Sequence, residues 1–270
     1  MSSRPFHDFE QAGWESVALE YQRGFTSLTT QSIGDLLDAA GVGRNTRLLD
    51  VATGPGDAAA AAVSRGAQVV GVDFSTAMVA LAKKRYPNID FRQGDAEALP
   101  LPDDSFDAVV MNFGLLHLER PEQAMREAHR VLKPGGRFSF TVWARREESL
   151  GFQITLRAVE IHGNPNVPLP PGPPFFRFSD PKECERTLLE SGFSEPQVTK
   201  IPQTWRLMSP DALFEIMKEA TVRTRGLLRF QSAQALDSIQ SAMREGARAF
   251  EKEGAVELAM PAVLAYALKG

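Results

Sequence analysis

A glycine-rich segment bounded by carboxylates is the part of this sequence best suited to ligand chemistry. Residues 50–57 read AspValAlaThrGlyProGlyAsp and follow a short apolar run. Gly54 permits a tight turn and Gly56 a close backbone approach to a ligand, as in a relaxed form of the dinucleotide-binding loop. Carboxylates at Asp50 and Asp57 would repel a pyrophosphate and suit an ammonium or sulfonium group instead. The alternative interpretation is a plain turn between a strand and a helix.

A second acidic position lies at the end of the next apolar segment. Asp73 follows Asp50 by 23 residues, close to the spacing at which dinucleotide-binding folds place an acid that binds ribose hydroxyls. Asp73 therefore indicates an adenosine-containing ligand and disfavours a ribose with a 2′-phosphate; alternatively, it belongs to the N-cap region of the following helix. Asp95, after a third such segment, could accept a hydrogen bond from an adenine amino group or could lie in a surface turn.

These residues accompany a regular alternation of strand and helix patterns. Strands are predicted at residues 46–51, 68–73, 89–93, 106–111 and 137–143, with helices between them at 57–65, 75–85 and 121–132. Such alternation predicts a parallel sheet covered by helices on both faces, with ligands at the carboxyl ends of the strands. Asp50, Asp73, Asp95 and Asn112 would then share one rim of the sheet.

The chain on either side of this core is less regular. Predicted there are two helices within residues 5–40, a helix at 180–191, a strand near 194–201, helices at 209–225 and 231–252, and a final strand pair or one bent strand at 256–268. Residues 145–178 include six prolines between Pro165 and Pro174, and we expect no regular structure there. The aromatic residues that follow favour a loop packed over the rim rather than an exposed linker.

Composition limits the classes of function. The chain has 30 Lys and Arg against 34 Asp and Glu, a formal net charge of −4, which argues against a nucleic-acid binder. A single cysteine, Cys184, excludes an internal disulfide framework, and four scattered histidines predict no metal site. Because the first residues lack an apolar signal segment and no run approaches 18 apolar residues, we expect a cytoplasmic protein without a transmembrane segment.

The ordered set of motifs resembles the class I S-adenosylmethionine-dependent methyltransferases. The motifs are Asp50-x-x-x-Gly54-x-Gly56, Asp73, Gly94-Asp95-Ala96 with Leu99-Pro100 and Phe106-Asp107, Leu116-His117, and Leu132-Lys133-Pro134-Gly135-Gly136. They are most similar to the branch that contains the ubiquinone/menaquinone-biosynthesis C-methyltransferases, and the resemblance covers about residues 10–143.

This resemblance implies an overall architecture. The fold class would be α/β, with a doubly wound, seven-stranded, mostly parallel Rossmann-like sheet, an antiparallel last strand and a partly helical lid. Residues 1–270 would form a single methyltransferase domain, with residues 1–143 as its cofactor-binding half. Residues 145–178 and 204–253 would be insertions that form the substrate lid.

The resemblance also implies how S-adenosylmethionine would be held as the cofactor. Asp50 and the glycine loop would lie against its methionine part, Asp73 would bind both ribose hydroxyls, and Asn112 would lie near the transferable methyl group. The full set of implied cofactor-binding residues is Tyr21, Asp50, Ala52, Gly54, Gly56, Asp73, Phe74, Met78, Asp95, Ala96 and Asn112. Catechol-type relatives build a magnesium site from carboxylates near the fourth strand end; Asn112 offers no carboxylate there, so no metal is predicted.

His117 is the candidate catalytic residue. A phenol or enol acceptor needs a base nearby, and His117 follows the fourth strand at the expected rim; alternatively, it bonds to substrate or cofactor or is a structural histidine. The predicted function is methyl transfer from S-adenosylmethionine, which leaves S-adenosylhomocysteine, to a small apolar or aromatic acceptor. Aromatic residues that either line a lid or belong to the core are Trp143, Phe175, Phe176, Phe178 and Trp205.

Two other functions are compatible with the same residues. An NAD-dependent oxidoreductase would also use the glycine loop and Asp73, although the motifs at 94–107 and 130–138 do not fit it. A non-catalytic S-adenosylmethionine-binding module that regulates a partner would keep the whole cofactor set. The identity of the acceptor, its reacting atom and the oligomeric state do not follow from the sequence.

Overall fold

The computed structural model describes residues 4–270, which form ten α-helices and ten strands. The helices are α1 (Pro5–Thr29), α2 (Ile33–Ala39), α3 (Asp57–Ser64), α4 (Thr76–Arg85), α5 (Pro121–Val131), α6 (Leu150–His162), α7 (Pro181–Glu190), α8 (Ala212–Glu219), α9 (Arg223–Arg229) and α10 (Ala233–Arg248). The strands are β1 (Arg47–Val51), β2 (Gln68–Asp73), β3 (Asp90–Gln93), β4 (Phe106–Asn112), β5 (Leu132–Trp143), β6 (Phe193–Ile201), β7 (Thr204–Leu207), β8 (Glu251–Lys252), β9 (Ala255–Ala259) and β10 (Ala262–Lys269). Short 3-10 helices occupy Thr30–Ser32, Leu115–His117 and Arg177–Ser179.

Seven strands form the central sheet in the order β3-β2-β1-β4-β5-β10-β6. The first five pair in parallel, whereas β10 runs antiparallel to both β5 and β6. The strand order reverses where β1 lies beside both β2 and β4, and open α/β sheets bind their ligands at such a point. The predicted seven-stranded, mostly parallel sheet with an antiparallel last strand is therefore confirmed.

Burial explains why the central strands read as continuous apolar runs. Leu48 and Leu49 of β1 and Val109 and Val110 of β4 are all fully buried, although neighbouring side chains in a strand point to opposite faces. Both faces are covered because helices lie on each side of the sheet. Asp50 is therefore a polar residue on a strand that has no solvent-facing side, and its carboxylate is buried.

The expectation of irregular structure across residues 145–178 was wrong for its first half. Leu150–His162 is the regular helix α6, and all six prolines come after it. Its buried positions Phe152, Thr155 and Val159 follow helical spacing, a signal that the proline-rich part of the segment obscured. The proline segment itself packs against the start of α1: a Cβ added at Gly172 would lie 2.2 Å from a ring atom of Phe6.

Two further segments differ from the predicted pattern. The helix expected over residues 209–225 is broken into α8 and α9 around Ala220–Val222. Residues 256–268 form a strand pair, but the two strands enter different sheets: β10 joins the central sheet and β9 a three-stranded sheet of order β7-β9-β8. The segment 204–253 therefore contributes strands β7 and β8 as well as helices. No helix within residues 4–270 is long and apolar enough to cross a membrane.

Candidate active site

Two adjoining cavities lie at the carboxyl ends of β1, β2 and β4. The larger, about 960 Å³ including its open mouth, has mostly apolar and aromatic walls. The smaller, about 370 Å³, has both polar and apolar walls, and its polar lining residues include Asp50, Thr53 and Asp57. Residues that line both cavities are Tyr21, Ala52, Gly54 and Asn112. A ligand with one polar end and one apolar end could therefore span the two.

The structure brings nearly all of the residues proposed from the sequence to this place. The larger cavity is lined by Tyr21, Ala52, Gly54, Asp73, Phe74, Met78, Asp95, Ala96, Asn112 and His117, and the smaller adds Asp50. Gly56 lines neither cavity. It has a φ of +88°, and a Cβ there would lie 2.8 Å from Cζ of Phe91. The close approach that Gly56 permits is therefore to the protein's own core, whereas a Cβ at Gly54 would meet no atom within 4 Å.

Asp50 presents a buried carboxylate oxygen without a partner. Its Oδ2 accepts hydrogen bonds from Thr53 Oγ1 at 2.6 Å and from the Ala59 N–H at 3.1 Å, whereas its buried Oδ1 has no partner among the described residues. Burial raises the pKa of Asp50 to about 7, although those two hydrogen bonds act in the opposite direction. A buried polar atom without a partner needs an explanation, and a cationic ligand group in the smaller cavity would supply one.

Asp73 fixes the shape of the glycine loop. Its Oδ2 accepts the Gly54 N–H at 2.8 Å and its Oδ1 the Ser75 N–H at 2.9 Å. Burial raises the pKa of Asp73 to about 6, and the two backbone donors oppose this rise. Each carboxylate oxygen keeps further acceptor capacity, so that Asp73 could still accept hydrogen bonds from ligand hydroxyls.

The carboxylate of Asp57 is not a free negative charge, so it does not repel a pyrophosphate as its position in the sequence suggested. Arg85 donates to both of its carboxylate oxygens at 2.7 Å, and Tyr86 Oη donates to Oδ1 at 3.1 Å. Such a bidentate pair neutralises the charge at the start of α3. The argument for a cationic ligand therefore rests on Asp50 rather than on Asp57.

The N-terminal end of α1 covers the side of the cavity where Asp95 lies. Arg4 contacts Asp95 Oδ2 at 3.0 Å and Glu119 at 2.8 Å, and it also pairs with the buried Glu97. His7 Nε2 lies 3.2 Å from the same Asp95 oxygen. Asp95 Oδ1 accepts the Glu97 N–H at 2.9 Å, which holds the carboxylate in the turn after β3.

Asn112 is held rigidly at the junction of the two cavities. Its Oδ1 accepts hydrogen bonds from Thr141 at 2.6 Å and Ser32 at 3.1 Å, and its Nδ2 donates to the Thr29 carbonyl at 2.9 Å. The side chain thus joins β4 to β5 and to the end of α1. Tyr21 lies on the same helix, and burial raises its pKa to about 12, so that its hydroxyl stays protonated at neutral pH.

His117 belongs to a buried network that sequence reasoning missed. Its Nδ1 lies 3.0 Å from Glu10 Oε2, which also accepts the indole N–H of Trp14 at 3.1 Å. Arg223 donates from Nε to Glu10 Oε1 at 2.7 Å, and its other nitrogens donate to the carbonyls of Pro173 and Leu116 at 2.9 and 2.8 Å. Burial disfavours the charge on Glu10, but the neighbouring His117 and Arg223 outweigh it and lower the pKa of the carboxyl.

One sequence signal could have found Glu10. It lies four residues before Trp14 and therefore on the apolar face of α1 that continues through Val17 and Tyr21, where an acid is unexpected. Arg223 had no comparable signal, because its partner lies 213 residues away.

Aromatic rings line the larger cavity beyond His117. The Phe113 and Trp143 rings stack with centroids 4.0 Å apart, and Phe152 packs edge-on against Trp143 and Phe175 at 5.6 and 5.2 Å. Of the five aromatics left undecided by the sequence, Trp143 and Phe175 line the cavity, Phe178 and Trp205 are buried in the core, and Phe176 is partly buried against the core. Among residues 4–270, no group of three or more His, Cys, Asp or Glu side chains is placed to hold a metal ion.

Comparisons with known proteins agree with this geometry. Residues 49–140 match the family model described as a methyltransferase domain. The demethylmenaquinone methyltransferase of Chlorobaculum parvum is 52% identical over 94 residues, which are 34% of this chain and 39% of that protein. The demethylmenaquinone methyltransferase of Beutenbergia cavernae is 41% identical over 140 residues, 48% of this chain and 58% of that protein. The chain thus spans between about two fifths and three fifths of the length of these curated relatives.

A solved structure extends the likeness to the fold of the whole chain. The Haemonchus contortus phosphoethanolamine N-methyltransferase 2, solved in complex with S-adenosyl-L-methionine, aligns with a TM-score of 0.58 at 21% identity and covers 100% of this chain and 60% of its own. The sheet order and the matched domain agree. Residues 49–140 carry a methyltransferase domain, and this part of the chain is similar in sequence to demethylmenaquinone methyltransferases.

Proposed function

We propose that this protein transfers the methyl group of S-adenosylmethionine to a small apolar or aromatic acceptor and leaves S-adenosylhomocysteine. The observation that carries the proposal is the buried Oδ1 of Asp50, which has no partner among residues 4–270 and belongs to a cavity that adjoins an aromatic one. When bound, S-adenosylmethionine supplies an activated methyl group on a sulfonium sulfur. The proposed setting is the cytoplasm, as expected from the sequence.

On the donor side, the chain offers residues that fit each part of S-adenosylmethionine. Asp50 would pair with the ammonium of the methionine part, and Asp73 would accept hydrogen bonds from the ribose hydroxyls. Phe74, Met78 and Ala96 would pack against the adenine, whose amino group would reach Asp95. Gly54 would admit the ligand, because a side chain there would extend into open space.

On the acceptor side, the aromatic walls favour a flat apolar molecule. Trp143, Phe152 and Phe175 lie beyond Asn112 and could enclose a ring system. Both relatives named above are demethylmenaquinone methyltransferases, and a reduced naphthoquinone has the flat ring and hydroxyl that such a cavity would hold. We propose His117 as the catalytic base for an acceptor of this kind.

Transfer itself would depend mainly on alignment. A methyl group moves by in-line displacement, which needs no covalent intermediate with the protein, and orientation can contribute roughly 7–11 kcal/mol. Asn112 and Tyr21, held between the two cavities, would align the donor with the acceptor. A closed lid would also exclude water from the reacting atoms.

Calorimetric titration with S-adenosylhomocysteine, with NAD in parallel, tests the donor side. Micromolar binding of S-adenosylhomocysteine and no binding of NAD is expected. Binding of NAD alone would overturn the proposal and favour an oxidoreductase. Incubation with methyl-labelled S-adenosylmethionine and reduced demethylmenaquinone, then with other phenols and hydroquinones, tests transfer. Cofactor binding with no label in any acceptor would favour a regulatory module instead.

A further inference from the structure

The contacts of His117 determine which of its two ring nitrogens is free. Glu10 lies 3.0 Å from Nδ1, and Nε2 has no partner among residues 4–270, although the ring lines the larger cavity. The side chain of Glu10 is fully buried and its two oxygens face Arg223 and Trp14 as well. A carboxylate surrounded by three donors accepts hydrogen bonds, so that Nδ1 must carry the proton that it shares with Glu10.

We propose that Glu10 is a positioning residue that holds neutral His117 as the Nδ1–H tautomer, with the lone pair of Nε2 directed to the acceptor as a base. The acceptor is then a molecule that must lose a proton from a hydroxyl, such as a phenol or a hydroquinone. This inference rests on the proposed methyl transfer and narrows its substrate class. A hydrogen bond to one ring nitrogen commonly fixes the role of the other in this way.

The proposed step balances without any further reactant. The acceptor O–H bond breaks and its proton passes to Nε2 of His117. The electron pair left on the acceptor forms a bond from oxygen, or from a conjugated ring carbon, to the methyl carbon, and the pair of the broken C–S bond stays on sulfur as a neutral thioether. After attack by carbon, loss of the ring proton restores the hydroxyl. The imidazolium formed meanwhile is stabilised by the carboxylate of Glu10.

The surroundings of the pair support a dedicated role. Trp14 packs edge-on against His117, with ring centroids 4.8 Å apart, and Phe175 does so at 6.1 Å. The other charged groups on the segment of His117 are paired elsewhere, since Glu119 binds Arg4 and Arg120 binds Glu97. Glu10 and Arg223 are therefore the charges that act directly on this histidine.

The position of the proton on His117 tests the inference directly. Protein labelled with ¹⁵N-histidine is studied at pH 8 by long-range ¹H–¹⁵N spectra, both free and with S-adenosylhomocysteine, and the His117 signals are assigned by their loss in His117→Gln. A protonated Nδ1 and an unprotonated Nε2 are expected. In Glu10→Gln this single pattern should be lost, whereas Glu20→Gln, an exposed position on the same helix, should keep it.

Each possible result decides the matter. A protonated Nε2 in the wild-type protein overturns the inference, and so does a Glu10→Gln variant that keeps the wild-type pattern. If Glu10→Gln does not fold, the wild-type spectrum alone still decides. Failure of the proposed methyl transfer is distinguishable, because it would appear as absent S-adenosylhomocysteine binding in calorimetry, whereas the tautomer is also measured in the ligand-free protein.

Discussion

Nε of Arg223 lies 2.7 Å from Oε1 of Glu10, across 213 residues of sequence. The same guanidinium stacks over Phe6 with 4.4 Å to the ring centroid, and it donates to the carbonyl of Pro173. One side chain of α9 therefore joins the N-terminal helix, the proline segment and the short helix that ends at His117. This arrangement makes Arg223 the point at which three separate segments of the chain meet.

Replacement of Arg223 by Met should destabilise the protein. The apolar stem between the aromatic rings is kept, but Glu10 becomes a buried carboxylate without its cationic partner, which typically costs about 3 kcal/mol. Urea unfolding should therefore give a free energy of unfolding lower by that order. Arg229→Met, at the exposed end of the same helix, should stay within about 0.5 kcal/mol of wild type. Equal effects of the two variants would contradict the central role of Arg223.

Asp73→Asn should weaken S-adenosylhomocysteine binding by about 10- to 100-fold. Hydrogen bonds to a charged group contribute about 1.5–3 kcal/mol, and ribose hydroxyls would lose the ionised acceptor. Calorimetric titration measures the effect. Asp90→Asn, on the exposed start of β3, is the matched control and should bind as wild type does. An unchanged affinity in Asp73→Asn would remove this residue from the cofactor site.

Binding of S-adenosylhomocysteine should strengthen as the pH rises from about 5.5 to 8. In the free protein the pKa values of Asp50 and Asp73 are raised to about 7 and 6, so that both carboxyls are largely protonated at the acid end of this range. The ligand ammonium needs ionised Asp50, and binding near pH 6.5 must therefore release protons. Calorimetry in buffers of different ionisation enthalpy measures this release, and Asp50→Asn should reduce it.

The same Asp50→Asn exchange should stabilise the ligand-free protein at pH 8. A carboxyl whose pKa is raised by folding makes the folded state less stable as the pH rises from its unfolded value, near 4, to its folded value, near 7. Asparagine avoids this loss and can still accept the hydrogen bonds of Thr53 and Ala59. The melting temperature should accordingly be higher than that of wild type at pH 8 and similar to it at pH 4. A lower melting temperature at pH 8 would contradict the unfavourable burial of this charge.

Replacement of Gly54 or Gly56 by alanine should impair the protein in different ways, one in ligand affinity and the other in stability. Both have positive φ, which costs an L-residue roughly 1–2 kcal/mol. At Gly56 the added Cβ also meets Phe91, so that the loss should be mainly one of stability. At Gly54 the Cβ enters open space at the cavity, so that the loss should be mainly one of ligand affinity. Thermal unfolding and calorimetry of both variants separate the two effects.

The elements that could be predicted from the sequence are those whose pattern lies within one short stretch of consecutive residues. Buried strands such as β1 and β4 are recognisable because both faces are covered and the whole segment is apolar. Asp50, Asp73 and Asn112, at or near the ends of their strands, were placed correctly at the rim, because in parallel sheets the carboxyl ends of strands meet at one edge. The helix α6 was not predicted, because the prolines beyond His162 led to the expectation of irregular structure across the whole of residues 145–178.

The pairing of side chains was not predictable in the same way. Asp57 was interpreted as a free charge, since nothing in residues 50–57 indicates that Arg85 neutralises it. The Glu10–His117–Arg223 network joins three distant segments, and each contact depends on the finished fold. The close approach beside Gly56 was not predictable for a related reason, because Phe91, which fills that space, lies on a different strand.

The position of β10 in the sheet has a consequence for how the protein is made. β10 is synthesised after every other element described above, yet it lies between β5 and β6. Until it leaves the ribosome, β5 has one edge without a partner and β6 has no partner strand in the sheet, and an unpaired strand edge can pair with other chains. We therefore expect slow completion of the sheet, with the risk of aggregation greatest before β10 has emerged and paired.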